Sequence, residues 1–143
     1  MNIIDQPIKN IEHLIPQKKP FVMVDVLLYF SKTKVVSSLT IRKNNIFFDS
    51  GVLLESGLIE NMAQTVALHT GYEYYLKGEQ APTGYLGSIK KIEILTLPKL
   101  NETIITEVQI LHVIMGVTLV EIHVYNANKE MVASGQMKTV IAK

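Results

Sequence analysis

Runs rich in apolar and β-branched residues make up most of this chain, and only its middle shows the spacing of a long helix. Such runs, bounded by turn residues, are typical of strands, and in Val117 to Tyr125 apolar and polar residues also alternate as in a strand that buries one face. The strands predicted in this way are Val22 to Phe30, Lys34 to Ile41, Tyr85 to Leu95, Glu102 to Ile114, Val117 to Tyr125 and Met131 to Ile141. Short turns separate the last three strands, so we expect them to form an antiparallel meander.

The helical pattern runs from Ser56 to Tyr75. At about 100° per residue, the residues on its main apolar face are Ile59, Met62, Ala63, Val66 and Thr70. A second stripe holds small or polar residues, namely Glu60, Gln64, Ala67 and Gly71. Such a stripe lets another backbone or a narrow ligand come close to the helix. We therefore expect this helix to be buried.

Glu60 is out of place on a buried helix, because an ionised carboxylate is rarely buried without a reason. We interpret it as a functional carboxylate. The alternative is a solvated Glu on an outward-facing part of the helix, which is the usual position of this residue type.

A shorter helical pattern, Pro7 to Ile15, precedes the first strand and ends at Pro16. A sheet of about six antiparallel strands can bury a single long helix economically only if the sheet curls around it. The expected fold is therefore of the α+β class, a hot-dog fold with a curved antiparallel sheet wrapped around one central helix. We expect residues 1–143 to form a single domain.

The composition and net charge of the chain argue against several classes of function. The 143 residues contain no cysteine, which excludes disulfides, thiol nucleophiles and thiolate metal sites. The net charge of +1 and the single arginine, Arg42, favour neither nucleic acid nor a membrane surface as a partner. The first residues lack the order of a signal peptide, and no apolar run approaches the roughly 18 residues of a membrane span, so we expect a cytoplasmic protein. No residues are spaced as metal ligands or as a phosphate loop.

Three motifs in the same order, I-E-N-M-A-Q, L-I-P-Q-K-K-P-F-V-M-V-D and Y-L-G-S-I-K-K, resemble those of the (3R)-hydroxyacyl-acyl-carrier-protein dehydratases of fatty-acid synthesis. The resemblance is closer to the shorter dehydratase-like proteins of aryl polyene and flexirubin pigment pathways, because F-F-D-S-G runs into the helix without a long insert. It implies a homodimer in which two strands join into one sheet, with an acyl tunnel at the interface. The implied partner is an acyl carrier protein that bears a phosphopantetheine-linked acyl chain.

Dehydration of a 3-hydroxyacyl thioester needs a base at carbon two, an acid for the departing hydroxyl and a donor for the thioester oxygen, and it needs no metal or cofactor. Glu60 matches the catalytic helix carboxylate of the family. The substrate-binding positions that the resemblance suggests are Gln17, Phe47, Phe48, Gly57, Gln64, Leu86 and Gly87. A basic rim for an acidic carrier is a further expectation, with Lys18, Lys19, Lys90 and Lys91 as candidates.

The chain departs from the family at both familiar histidines. F-D-S-G stands where the fatty-acid enzymes have G-H-F-P, and Gln17 follows Pro16 where a histidine is usual. Gln17 forms hydrogen bonds but takes no proton at neutral pH. His13 is the candidate replacement, since it lies just before this turn, whereas His69 lies about 180° around the helix from Glu60.

The missing histidines leave three functions open. The first is a dehydratase in which Glu60 is the acid/base group. The second is a thioesterase of the same fold, in which Glu60 activates water against the thioester carbonyl and no histidine is required. The third is a non-catalytic subunit that binds an acyl carrier or pairs with a catalytically complete homologue.

Overall fold

A computed structural model describes residues 6–142 as one long helix packed on a six-stranded antiparallel sheet. Residues 1–5, most of the stretch compared with signal peptides, lie outside this range. The elements are β1 (Val26–Phe30), β2 (Lys34–Thr40), β3 (Phe48–Asp49), β4 (Val52–Leu53), α1 (Glu55–Leu76), β5 (Gly84–Ile94), β6 (Thr103–Ile114), β7 (Val117–Tyr125) and β8 (Met131–Ile141). In the large sheet the order is β1-β2-β6-β7-β8-β5. The predicted hot-dog architecture is confirmed.

The core lies between α1 and one face of the sheet. Ile122 of β7 is fully buried there and pairs with Val108 of β6 on one side and Gly135 of β8 on the other. Partners directly opposite in antiparallel strands lie on the same face, so Val108 and Ile122 are buried side by side, and Gly135 leaves room there for the side chain of Ile92. In the part of the chain described, no helix is long and apolar enough to cross a membrane.

The predicted helix from Pro7 to Ile15 is wrong. Ile8 instead exchanges two backbone hydrogen bonds with Leu27 of β1, both of 2.9 Å, and a turn follows in which the Leu14 N–H donates to the Ile11 carbonyl at 2.8 Å. Ile11, Leu14 and Ile15 are all buried. Their helix-like spacing therefore reflects contact with the core by an irregular segment.

The first strand begins at Val26, four residues later than predicted. The residues before it are extended, but their backbone groups are bonded to side chains of α1: the Met23 N–H to Gln64 and the Met23 carbonyl to Asn61. This part of the predicted strand thus lies outside the sheet because helix side chains replace a strand partner.

The sheet-facing side of α1 differs from the predicted apolar face. Ile59, Ala63 and Thr70 are only half-buried, whereas Asn61 and Thr65 are fully buried against the sheet. The prediction that small residues admit another backbone is confirmed at Gly71, where an added Cβ would overlap the carbonyl oxygen of Leu14.

The F-D-S-G stretch forms a two-residue hairpin between β3 and β4. Its central residues both have positive φ, 52° at Ser50 and 87° at Gly51, as in a type I′ turn. The hairpin places Phe47 and Leu53 against the first turn of α1, where an added Cβ at Gly57 would come within 2.7 Å of both side chains. Gly57 is therefore needed for this close packing.

Candidate functional site

Glu60 and Gln64 face the same side of α1, one turn apart. Glu60 is half-buried, and Gln64 is fully buried. The Gln64 amide nitrogen Nε2 donates a hydrogen bond of 2.9 Å to Glu60 Oε1. Within residues 6–142, no hydrogen bond or ion pair engages the other carboxylate oxygen, Oε2. One oxygen is thus held by Gln64, and the other is not engaged by the described residues.

The Gln64 amide also binds the backbone of residues 21–23, which we call the strap. Its Oε1 accepts a hydrogen bond of 2.7 Å from the Met23 N–H, and its Nε2 donates to the Phe21 carbonyl at 2.8 Å. Both amide hydrogens of Gln64 and one lone pair of its oxygen therefore form hydrogen bonds within the protein. Gln64 was predicted to bind substrate, but these contacts give it the role of holding Glu60 and the strap.

A chain of buried polar side chains continues from this point into the core. Asn61 donates to the Met23 carbonyl at 2.7 Å and accepts from the Thr106 hydroxyl at 2.6 Å. Thr65 donates to the Asn61 carbonyl at 2.7 Å and its hydroxyl is paired with that of Ser37 at 2.8 Å. Buried polar groups are costly when unpaired, so this network fixes the rotation of α1 on the sheet.

Sequence reasoning missed this network. Asn61 and Thr65 are four residues apart on the predicted helix, and Ser37 and Thr106 are polar residues in predicted strands. The sequence therefore showed each polar residue separately but not which residues are paired. The pairing between helix and strands is a tertiary contact, and no pattern within one segment reveals it.

The predicted positions at the start of α1 lie close together. Phe47 and Phe48 are half-buried and pack against the core, and Gly57 is in contact with Phe47. The Gly57 N–H donates to the Leu54 carbonyl at 3.0 Å. Since this donor is already used within the first helical turn, the contacts of Gly57 are those of a packing residue, and its role in substrate binding stays a prediction.

Gln17 carries a buried oxygen, Oε1, that has no hydrogen-bond partner within the described range. Most buried acceptors in proteins are paired, so an unpaired one marks a place where a ligand, a water molecule or another chain supplies a donor. This position is compatible with the predicted binding role of Gln17.

Leu86 and Gly87 lie on β5, the strand at one end of the sheet order. Gly87 is the extra residue in an irregularity between Leu86 and Ser88. Both are exposed, at the opposite end of β5 from Ile92 and Ile94, which border a cleft with Glu55 in the first turn of α1. One chain therefore does not gather all the predicted site residues around Glu60.

All four histidines of the chain are described, and none lies beside Glu60 within one chain. The ring of His13 packs edge-on against Tyr75, with 5.2 Å between centroids. Tyr75 is 15 residues beyond Glu60, which is about 22 Å along the helix. His13 is thus not brought to Glu60 in a single chain.

The remaining histidines have other contacts. His69 stacks on Phe30, and its Nε2 lies 2.8 Å from the Ser31 carbonyl oxygen. Nε2 of His123 lies 3.8 Å from Oε1 of Glu121. His112 is exposed and pairs with Leu119, on the sheet face opposite the one that carries the buried Val120. Across residues 6–142, no group of His, Asp or Glu is arranged to hold a metal ion.

The fold defines a hot-dog protein with a half-buried carboxylate on the central helix. A profile of the ApeP-like family, described as ApeP dehydratase, matches residues 9–143. The chain therefore belongs to the ApeP-like family. A comparison with curated protein sequences gives no match.

Solved structures share the fold at low sequence identity. The dehydratase heterocomplex ApeI:P from Xenorhabdus doucetiae matches with a TM-score of 0.81 and 14% identity, over 93% of this chain and 91% of that one. A Streptococcus mutans protein, smu.793, bound to acetyl CoA matches with a TM-score of 0.69 and 16% identity, over 90% and 95%. Zebra fish thioesterase superfamily member 2 matches with a TM-score of 0.70 and 16% identity, over 89% of this chain and 88% of that one.

Proposed function

We propose that this chain is a single-domain hot-dog subunit of a dehydratase that acts on a carrier-bound 3-hydroxyacyl or polyenoyl thioester. The product is the trans-2-enoyl thioester. Glu60 is the acid/base residue. The observation that carries this proposal is the half-buried Glu60 carboxylate, with Oε1 held by Gln64 and Oε2 not engaged by the described residues. Membership of the ApeP-like family supports the reaction class.

One carboxylate is able to serve both halves of the elimination. Oε2 of Glu60 removes the proton from carbon two, and the electrons of that C–H bond form the new double bond as the C–O bond at carbon three breaks. The same carboxyl group then gives its proton to the departing hydroxyl, so water leaves and the carboxylate is regenerated. A second acid/base group would raise the rate, and this chain places none beside Glu60.

We propose that a second hot-dog chain completes the site at the edge formed by β5. Eleven residues long, β5 ends the sheet order, and its exposed side chains include Tyr85, Leu86 and Ile89. A long exposed apolar edge is a site for pairing with another strand. Its far end borders the cleft beside Glu55, so a chain paired there would lie next to the helix turns that carry Glu60.

The second chain has two candidate identities. The resemblance predicts another copy of this chain, as a homodimer. The Xenorhabdus doucetiae dehydratase is a heterocomplex, which supports a different hot-dog chain as the alternative. In a homodimer the second copy would bring its own His13 toward Glu60. In a heterocomplex the other chain would bring an imidazole that this chain lacks beside Glu60.

An acyl carrier protein is the proposed donor of the substrate. Lys18 and Lys19 are exposed just before the strap, and Lys90 and Lys91 are exposed on β5. Their positive charge suits the acidic surface expected of such a carrier. We propose that these four residues form the basic rim. We also propose that the protein works in the cytoplasm.

A thioesterase is the second candidate function, because a carboxylate without an adjacent imidazole suffices to activate water. Thioesterases are among the proteins with the same fold. A non-catalytic carrier-binding subunit is the third.

The three functions are separated by one assay. The protein, in the assembly in which it purifies, is incubated with a 3-hydroxyacyl carrier conjugate and the carrier is followed by mass spectrometry. Loss of water supports the dehydratase, release of the free acid supports the thioesterase, and an unchanged conjugate supports the non-catalytic subunit.

A further inference from the structure

We propose that the strap, residues 21–23, is a positioning element that sets the orientation of the Gln64 amide and, through it, of the Glu60 carboxylate. This inference rests on the proposed role of Glu60. It assigns a function to a backbone group, the Met23 N–H, to which the sequence motifs assign no role.

An amide side chain can present either its oxygen or its nitrogen to a neighbour, since the two ends are of similar size. The Met23 N–H only donates, so it requires Oε1 of Gln64 on its side, at 2.7 Å. The Phe21 carbonyl only accepts, so it requires Nε2, at 2.8 Å. The two strap groups together select one orientation of the amide.

The selected orientation leaves the second Nε2 hydrogen for Glu60 Oε1, at 2.9 Å. In the reverse orientation the Gln64 oxygen would face the carboxylate, and two acceptors would repel each other. The strap therefore decides that Gln64 attracts Glu60 and does not repel it. Because Gln64 is fully buried, water does not substitute for a lost strap contact.

A second amide anchors the strap without touching Glu60. Asn61 donates to the Met23 carbonyl at 2.7 Å, so both backbone groups of Met23 are bonded to α1. Gln64 and Asn61 are both fully buried. This double attachment holds Met23 in place, and only the Gln64 branch continues to the carboxylate.

The strap thus acts on the reaction through the geometry of Glu60. A reacting group that loses its alignment loses rate even when substrate binding is intact. Loss of the Met23 N–H should therefore lower kcat and leave KM nearly unchanged, whereas a general loosening of the fold would lower the amount of active protein.

The test replaces single backbone amides by esters, using α-hydroxy acids at position 23 or position 21. An ester at Met23 removes the N–H that orients Gln64. An ester at Phe21 is the matched control, because the Phe21 N–H donates at 2.8 Å to the Lys18 carbonyl and not to Gln64. The experiment uses the full chain in the assembly in which it purifies.

We expect the Met23 ester to lower kcat by about tenfold with KM unchanged within about twofold, and the Phe21 ester to leave both nearly unchanged. Equal losses in the two esters, or a change in KM alone, would overturn the proposal.

A measurement that does not depend on enzyme activity, the NMR resonance of the Glu60 carboxyl group, tests this inference separately from the proposed function. With ¹³C-labelled glutamate, the Glu60 carboxyl resonance, assigned through Glu60→Gln, should move in the Met23 ester and stay in the Phe21 ester. If the unmodified protein shows no dehydration, the proposed function fails and this resonance alone decides the role of the strap. If the Glu60 resonance does not move in the Met23 ester, the proposed role of the strap is wrong.

A pair of side-chain variants covers the case in which the Met23 ester does not fold. Gln64→Met and Asn61→Leu each remove one attachment of Met23, and only the first removes a bond to Glu60. The Met23 amide should exchange faster with solvent in both variants. The Glu60 resonance should move in both variants, and further in Gln64→Met, which also loses the direct bond to Glu60. A Glu60 resonance that stays in place in Asn61→Leu although the Met23 amide exchanges faster would contradict the inference.

Discussion

Oε1 of Glu60 accepts a hydrogen bond from the buried amide of Gln64, one helical turn away, at 2.9 Å. The bond joins a half-buried acidic group to a side chain that is itself held by the backbone of residues 21–23. The helix, the irregular N-terminal segment and the carboxylate are therefore one structural unit.

Gly71→Ala should destabilise the fold, because the added methyl group would overlap the Leu14 carbonyl oxygen. Overpacking of this kind costs about 1–3 kcal/mol of unfolding free energy. Urea unfolding measures the loss. Gly84→Ala is the control, since its added Cβ would meet only the Val140 carbonyl oxygen, at 3.9 Å. Equal stability of the two variants would show that the N-terminal segment does not pack on α1 as described.

Tyr72 should make the fold sensitive to alkali. Burial, and secondly the charge of Tyr75, raise the pKa of the Tyr72 phenol from 10.0. The folded state thus keeps the proton more firmly than the unfolded state. The stabilisation by the neutral phenol is complete below pH 10.0 and is lost as the pH rises through the folded-state pKa.

Tyr72→Phe removes this ionisation, so the variant should lose less unfolding free energy than the parent above pH 10.0. Chemical unfolding at several alkaline pH values measures the difference. Parallel losses in the two proteins would contradict a raised pKa.

Ile89→Lys should weaken the proposed association along β5, because it places a charge on an apolar strand edge. Ile46→Lys is a matched control: the two isoleucines are exposed to similar extents, 40% and 43%, and Ile46 lies before the β3–β4 hairpin. Sedimentation velocity should show that only the β5 variant dissociates. A parent protein that sediments as a lone monomer at micromolar concentration would rule out the proposed assembly.

A double charge reversal, Lys19→Glu with Lys90→Glu, should raise KM for the carrier-bound substrate and leave kcat unchanged; Lys18 is kept because its Nζ donates at 2.7 Å to the Glu12 carbonyl. Exposed charge pairs contribute little each, so we expect an increase of about three- to tenfold, smaller at high salt. Lys32→Glu, in the exposed β1–β2 turn, serves as the control. If the double variant and Lys32→Glu behave alike, the basic rim does not contact the carrier.

The sheet was predictable because its strands keep their alternation. In β7 the buried Val120, Ile122 and Val124 alternate with half-buried Glu121 and His123. When one face of a sheet is buried, alternation with a period of two fits only one orientation of the strand. The predicted limits of such strands are therefore close to the observed ones. The long helix was also evident from its length and apolar content.

Other features depend on contacts that no single segment reveals. The spacing of Ile8, Ile11 and Leu14 fits a helix, yet pairing of Ile8 with Leu27 and close packing of Leu14 on Gly71 select an irregular path. Asn61 faces the sheet because Thr106 and Met23 satisfy its amide. Glu60 could be singled out from its motif, but its link to the strap could not, because that link joins residues more than 35 positions apart.

The most direct test of the account is the rate of water loss from a 3-hydroxyacyl carrier conjugate in Glu60→Gln, compared with Glu73→Gln. Both glutamates lie half-buried on α1, but Glu73 is almost four turns from Glu60. We expect Glu60→Gln to lower kcat by about a hundredfold or more and Glu73→Gln to stay near the parent rate. Full dehydration by Glu60→Gln would contradict the role of Glu60 as the acid/base residue.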